Sequence, residues 1–265
     1  MCKKGKVVVF ANQKGGCGKT TMANEFAAGL CEMGFKVLAV DMDPQGNLSD
    51  SARVNTADAG LITMYDVLKG TVHISDAVCH TDKYDIVPSN ILLASAEQEI
   101  STRIGRERIL KKALDEVAED YDYIVIDTPP SLGTLTVNAF TAADRAVIPI
   151  LPDLFAVSGV TKLNDIIELI RENCNSNLVI SGIVLTQFDM RTNNSQTIRA
   201  ITDAISEKLH VPVFTTTIRK AVAVADARTA HQTVKEYGDA KARKVTVASD
   251  FEQFVEEFLQ REGAA

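Results

Sequence analysis

Unbroken apolar runs alternate with amphipathic stretches along all 265 residues of the chain. Seven runs read as strands: residues 6–11, 36–41, 84–87, 123–127, 145–150, 178–186 and 211–215. Within a run the apolar positions are continuous rather than alternating, as expected when helices cover both faces of a strand. Helical patterns lie between. Residues 22–33 form one. Residues 106–118 place Leu110, Ala113, Leu114 and Val117 on one face. Phe251, Phe254, Val255, Phe258 and Leu259 make a stripe at i, i+3, i+4, i+7, i+8. The βα alternation predicts an α/β fold of three layers, a mostly parallel twisted sheet with helices on both faces. No low-complexity linker or repeat interrupts it, so residues 1–265 are expected to form a single domain.

Composition narrows the function classes. An apolar fraction of 46% with 24% charged residues is ordinary for a soluble globular chain. There is no Trp, which argues against a base-stacking platform for single strands. The apolar runs are too short for a membrane span, and the first one stops at Ala11, too early for a signal peptide. The last helical stripe carries an acidic opposite face (Glu252, Glu256, Glu257) that anionic lipid would repel, so it is expected to pack on the domain and not on a membrane. Five scattered cysteines without CxxC spacing read as free thiols in a reducing cytoplasm. The net charge of −7 is not that of a nucleic-acid binder as a whole. Residues 187–248, however, hold ten Lys/Arg against six Asp/Glu, a locally basic portion of an acidic chain.

The chemistry concentrates after the first run, at Lys14-Gly15-Gly16-Cys17-Gly18-Lys19-Thr20-Thr21. A glycine-rich turn between strand and helix aims backbone N–H groups and the positive helix end into one small cavity, which suits a polyphosphate. Lys19 supplies a charge for the β- and γ-phosphates, and the Thr20 hydroxyl can ligate Mg²⁺. Gln13 stands where the general phosphate-loop pattern has its first glycine, and Lys14 adds a second lysine. Two ammonium groups on one short loop repel each other unless an anion lies nearby. Cys17, inside the loop, reads as a small filler residue.

Two further acidic positions end strand-like runs. Asp41 and Asp43 are spaced i, i+2 at the carboxyl end of the second run, over the crevice where α/β sheets bind ligands, and Pro44 and Gly46 then force a turn. A carboxylate near a γ-phosphate suits the positioning of water. Asp127 ends the hydrophobic run 123–127, and Pro129-Pro130 stops the strand there.

With its extra lysine, the run Lys14–Thr21 resembles the deviant Walker A motif of the ParA/MinD class of P-loop ATPases. Asp41-Met42-Asp43-Pro44-Gln45-Gly46-Asn47 looks like that class's switch I, and Ile126-Asp127-Thr128-Pro129-Pro130-Ser131-Leu132-Gly133 like its switch II. Val87-Pro88-Ser89-Asn90, Ala94-Ser95-Ala96-Glu97, Ile104-Gly105-Arg106-Glu107 and Asp189-Met190-Arg191-Thr192-Asn193 are similar to segments of chromosomal-type, Soj-like ParA proteins. After Phe214 the pattern departs from the family. Residues 217–227 keep Arg219 without the flanking proline and asparagine, in a stretch that in the family helps to hold adenine and carries part of the DNA surface.

The resemblance implies ATP and ADP with Mg²⁺ as cofactors, and an ATP hydrolase that is weak until a partner stimulates it. Residues 14–21 (Lys14, Gly15, Gly16, Cys17, Gly18, Lys19, Thr20, Thr21) would bind the nucleotide. Thr20, Asp41, Asp43 and Asp127 would form the metal shell, with Asp127 holding a magnesium-bound water and Asp41 supporting it. Lys14, Lys19 and Asp43 would be catalytic. Asp43 would orient or activate the attacking water, and Lys14 would reach across an ATP-bound homodimer to the other nucleotide. That dimer would bind double-stranded DNA non-specifically, with Arg191, Arg219, Lys241, Arg243 and Lys244 as candidates. A ParB-like centromere-binding protein would trigger its release, in the cytoplasm and at the nucleoid. No helix-turn-helix extension precedes the first run, so operator-specific binding is not expected. The alternative is a MinD-like ATPase that positions a protein cluster or marks a cell pole. An iron–sulfur reductase would need cysteines soon after the third motif, and none lie between Cys79 and Cys174. A tyrosine autokinase would end in a tyrosine cluster, and the last tyrosine is Tyr237.

Overall fold

The computed structural model describes residues 5–189, 191–242 and 245–263. In chain order the elements are β1 (Lys6–Phe10), α1 (Lys19–Glu32), β2 (Val37–Asp41), α2 (Asn47–Ser51), α3 (Met64–Lys69), β3 (Asp85–Val87), α4 (Leu93–Ile100), α5 (Ile109–Asp115) and β4 (Tyr123–Asp127). Then follow α6 (Thr134–Ala142), β5 (Arg145–Ile150), α7 (Leu154–Asn173), β6 (Val179–Leu185), α8 (Asn193–Leu209), α9 (Val222–Thr229), α10 (Val234–Ala240) and α11 (Thr246–Arg261). The six strands form one sheet in the order β3-β2-β4-β1-β5-β6, and every pairing between them is parallel.

Strand residues of alternate parity enter two separate cores, which is why the runs are apolar throughout. Val7, Val9, Leu38, Val40, Ile124 and Ile126 pack under α3–α8. Val8, Phe10, Ala39 and Val125 pack under α1, α9, α10 and α11. The three-layer α/β architecture expected from the sequence is therefore what forms. The C-terminal stripe packs inward, as the acidic outer face implied. Phe254 and Phe258 of α11 meet Phe26 of α1 at ring-centroid distances of 5.8 and 4.9 Å, and Phe254 meets Phe214 at 4.8 Å.

Two sequence expectations need correction. Residues 211–215 do not add a seventh strand; Val213 makes only a single parallel bridge to Ile183. Pro212 has no N–H to donate; the Phe214 N–H reaches Ile183 O at 2.8 Å, but those of Thr215 and Thr216 both go to the Glu257 carboxylate at 2.8 Å. The helix expected over 106–118 is shorter. A 3₁₀ turn at Arg106–Arg108 precedes α5, although Leu110, Leu114 and Val117 are buried as predicted.

The α1 and α10 helices are joined through a buried acid. Glu25 accepts the Val234 N–H on both oxygens, at 3.1 and 3.3 Å, and the Asn24 amide at 3.1 Å. Burial pushes its pKa from 4.5 to about 8, while the Val234 N–H, Asn24 and the Lys83 charge oppose the rise and Glu236 adds to it. Between those two values the folded chain keeps a proton that the unfolded chain has lost. Stability should therefore fall as pH rises from 4.5 to about 8, by about 1.4 kcal/mol per pH unit from this group. Glu25→Gln should remove that slope in urea unfolding across this range; an unchanged slope would mean that Glu25 is ionised in the fold.

Candidate nucleotide site

The loop between β1 and α1 is held from both sides. Asn12 donates to Pro149 O at 2.6 Å and accepts the Lys14 N–H at 3.1 Å. The Thr186 hydroxyl lies 2.8 Å from Cys17 O and 3.0 Å from Ile150 O, and Gln187 donates to Gly16 O at 3.0 Å. The loop's carbonyls are thus tied back to the end of β6, which leaves its N–H groups to the cavity. Gly18 has φ 90 and opens α1 in the left-handed region that favours glycine. A side chain at Gly15 or Gly16 would enter open space with no atom within 4 Å.

The first turn of α1 carries no acidic residue and no side-chain cap. Its N–H groups and the positive helix end are therefore left for an anionic ligand. Lys19 is buried and its Nζ lies 3.4 Å from Lys14 O, folded over the loop. Lys14 points elsewhere, paired with Asp153. The anion that relieves the two-lysine repulsion in this structure is thus the chain's own carboxylate. Burial raises the Cys17 thiol pKa, Lys19 opposing, so the thiol stays protonated as a filler residue would.

The acids converge because β4 lies between β1 and β2. Asp127 is in register with both Asp41 and Phe10. Their surroundings differ. Asp41 accepts from Asp43 N at 3.1 Å, Ser49 N at 2.9 Å and Ser49 Oγ at 2.7 Å. It pins the turn after β2, an employment that the sequence did not reveal, and burial raises its pKa to about 6. Asp43 shares that turn, its Oδ1 accepting the Gln45 N–H at 3.0 Å. Asp127 is wholly buried, and among the described residues neither of its carboxylate oxygens finds a well-formed hydrogen bond. Burial first and the Asp41 charge second push its pKa well above the usual carboxylate range, while the Thr20 hydroxyl and Lys19 pull against them. A buried acid pair with one unengaged carboxylate beside a threonine hydroxyl is the donor set of a hard divalent cation and its water shell. Thr20 and Asp127, with the Asp43 charge nearby, could hold such a cation.

Among the described residues, the basic candidates Arg191, Arg219 and Lys241 each have a partner within the chain. Arg191 is 89% exposed but makes a two-point pair with Asp189 at 2.9 and 2.8 Å. Arg219 makes another, at 2.7 and 2.5 Å, with the buried Asp250. A bridge between Phe188 and Arg219 sets these two segments side by side. Lys241 lies over the Tyr237 ring at 4.2 Å. Arg243 and Lys244 lie outside the described residues. Ser49, Asp153, Thr186 and Gln187 were missed from sequence. The one signal that could have found Thr186 and Gln187 is their place at the carboxyl end of a parallel strand.

A glycine loop tied back by its carbonyls, an uncapped helix start and an unengaged buried carboxylate define a P-loop nucleotide site. Comparison with known proteins places it further. A family model described as "AAA domain" matches residues 5–180. The chain is 37% identical over 262 residues to the chromosome-partitioning ATPase Soj of Treponema pallidum, covering 98% of this chain and 99% of that one. It is 39% identical over 218 residues to the sporulation initiation inhibitor protein Soj of Bacillus subtilis, covering 81% and 86%. Among solved structures, cobyrinic acid a,c-diamide synthase of Mycobacterium smegmatis with bound ADP and magnesium superposes with a TM-score of 0.83 at 32% identity, covering 98% and 96%. The chain belongs to the ParA/MinD family of P-loop ATPases. ATP or ADP with magnesium is what its site takes.

Thr186→Val keeps the shape of that side chain and removes the hydroxyl beside Cys17 O. ATP affinity by calorimetry should fall about tenfold, the loss of roughly one hydrogen bond, and Thr186→Ser should restore it. Wild-type affinity in the valine variant would show that the loop holds its form without this brace.

Proposed function

We propose that this chain is a DNA-partition ATPase that works as an ATP-dependent dimer switch, with residues 1–265 acting as one domain. Lys19, Thr20 and the loop N–H groups bind the phosphates of ATP. Asp43 orients the attacking water, and Asp127 with Thr20 serves the metal side. Bound magnesium supplies charge neutralisation on the phosphates. Two protomers close face to face with Lys14 of each on the nucleotide of the other. The closed dimer binds duplex DNA without sequence preference at the nucleoid, in the cytoplasm. A ParB-like centromere-binding protein stimulates the otherwise weak hydrolysis, and the dimer lets go.

The observation that carries this reading is the contrast between the two loop lysines. Lys19 is 6% exposed and turned onto its own loop, whereas the Lys14 side chain is 38% exposed and, among the described residues, paired with Asp153. A second lysine outside the cavity is redundant for the chain's own phosphates but reachable by those of a neighbour. The likeness to a chromosome-partitioning ATPase along nearly the whole chain supports DNA as the cargo track.

Lys14→Ala should keep ATP binding in the monomer and lose the ATP-dependent dimer in light scattering. An intact ATP dimer would exclude the cross-interface role.

For DNA, Arg191 is the cleaner probe. Removing Arg219 would also strand Asp250, which is 4% exposed, so that variant would mix stability with binding. Arg191→Ala should weaken binding of the ATP form to unrelated duplexes about equally and lower the salt slope of log K by about one. If the ATP-bound wild type fails to retard DNA at low salt, a protein-cluster or pole-positioning ATPase becomes the reading.

A further inference from the structure

The segment Ala94-Ser95-Ala96-Glu97 contributes nothing to the loop, the metal side or the basic residues. It forms part of α4, and Glu97 reaches from there to the start of α6. Helix α6 begins at Gly133, which offers no side chain to cap it. Glu97 supplies the missing group, its Oε1 accepting the Leu135 N–H at 3.3 Å. A carboxylate in this position also opposes the positive end of the helix.

Gly133 shows that the contact is built in. Its φ of −77 is backbone that any residue adopts, so conformational freedom does not explain the glycine. A Cβ on residue 133 would overlap Glu97 Oε1 and stand 3.0 Å from its Cδ, so the carboxylate, the far end of a flexible side chain, would have to swing off the helix start. Two neighbouring bonds stiffen the same junction. Thr136 Oγ1 donates to Ser131 O at 2.6 Å, closing the turn that runs from Asp127 into α6. Asn138, wholly buried, accepts the Leu110 N–H at 3.1 Å and donates to Arg106 O at 2.8 Å, which ties α6 to the segment entering α5.

We infer that Glu97 is a positioning residue for ATP hydrolysis: it caps α6 from outside and so fixes the far end of the 128–133 turn whose near end is Asp127. Thr136 and Asn138 hold the first turns of α6, and Glu97 adds the bond to its second N–H group from outside the helix. Losing that bond loosens the angle at which the turn enters α6, and phosphoryl transfer depends on placement. The inference rests on Asp127 serving the metal side of the site, as proposed above.

The test combines Glu97→Ala, Glu97→Gln, Gly133→Ala and the Glu97→Ala/Gly133→Ala double variant. In Glu97→Ala the kcat for ATP should fall about tenfold, the scale of a lost helix cap, with KM for ATP unchanged within about twofold. Glu97→Gln keeps an acceptor oxygen and should recover most of kcat. Gly133→Ala displaces the same carboxylate and should match Glu97→Ala. The double variant should be no slower than either single one, because both remove one contact. Amide exchange at Leu135 should accelerate about tenfold in both single variants; this reads the cap with or without turnover. Unchanged exchange at Leu135, a fall in melting temperature with kcat intact, or singles whose effects multiply in the double variant would each overturn the inference. Accelerated exchange in variants of a chain whose wild type shows no ATP turnover would overturn the hydrolase reading instead.

Discussion

The nucleotide edge depends on the register in which β4 lies between β1 and β2. That pairing sets Asp127 level with Phe10 on one side and Asp41 on the other. It brings the phosphate loop, which leaves β1 a few residues later, next to both acids. The same register sends Val7 and Val9 to one core and Val8 and Phe10 to the other. A slip of one residue would exchange the faces of a whole strand, so neither the acids nor the cores can move without the other. The site's geometry is thereby guaranteed by apolar packing that never touches it.

Held in that frame, the site gathers charged and polar groups that one ligand would engage together. Asp127 is buried without a well-formed partner, the start of α1 is uncapped, and Lys14 leans on Asp153. The first two are incomplete in the chain alone, and the third is an exposed ion pair that a phosphate could replace. A polyanion with a divalent cation answers them together: the anion meets the helix start and lysines, and the cation meets Asp127. Local rules of stability are broken here and satisfied elsewhere, for instance by the phenylalanines that join α11 to α1, and this is the usual mark of a functional site.

Chemistry written in contiguous residues was legible. The run from Lys14 to Thr21 carries its own geometry, since a glycine turn between a strand and a helix can face only one way. Asp41, Asp43 and Asp127 were legible as strand-end acids, because apolar runs announce where strands stop. The βα alternation likewise dictated a parallel three-layer sheet, with six of the seven expected strands realised in it. The seventh failed through a competition that no local pattern displays: Glu257, more than forty residues away in the chain, takes the Thr215 and Thr216 N–H groups and ends the pairing after Phe214.

The sequence alone therefore determined the class of fold, the phosphate loop and the acids at the strand ends, because each follows from side-chain period and turn chemistry within a few residues. Only the tertiary structure decided which of those groups are engaged and which are open. Asp41 is consumed by Ser49, Arg219 by Asp250 and Lys14 by Asp153, while Asp127 is left without such a bond. Thr186 braces a carbonyl 169 positions away, and Glu97 caps a helix 38 positions on. Hydrogen bonds and ion pairs of this kind depend on distance in space, which the sheet and its two cores establish, and spacing along the chain does not encode it.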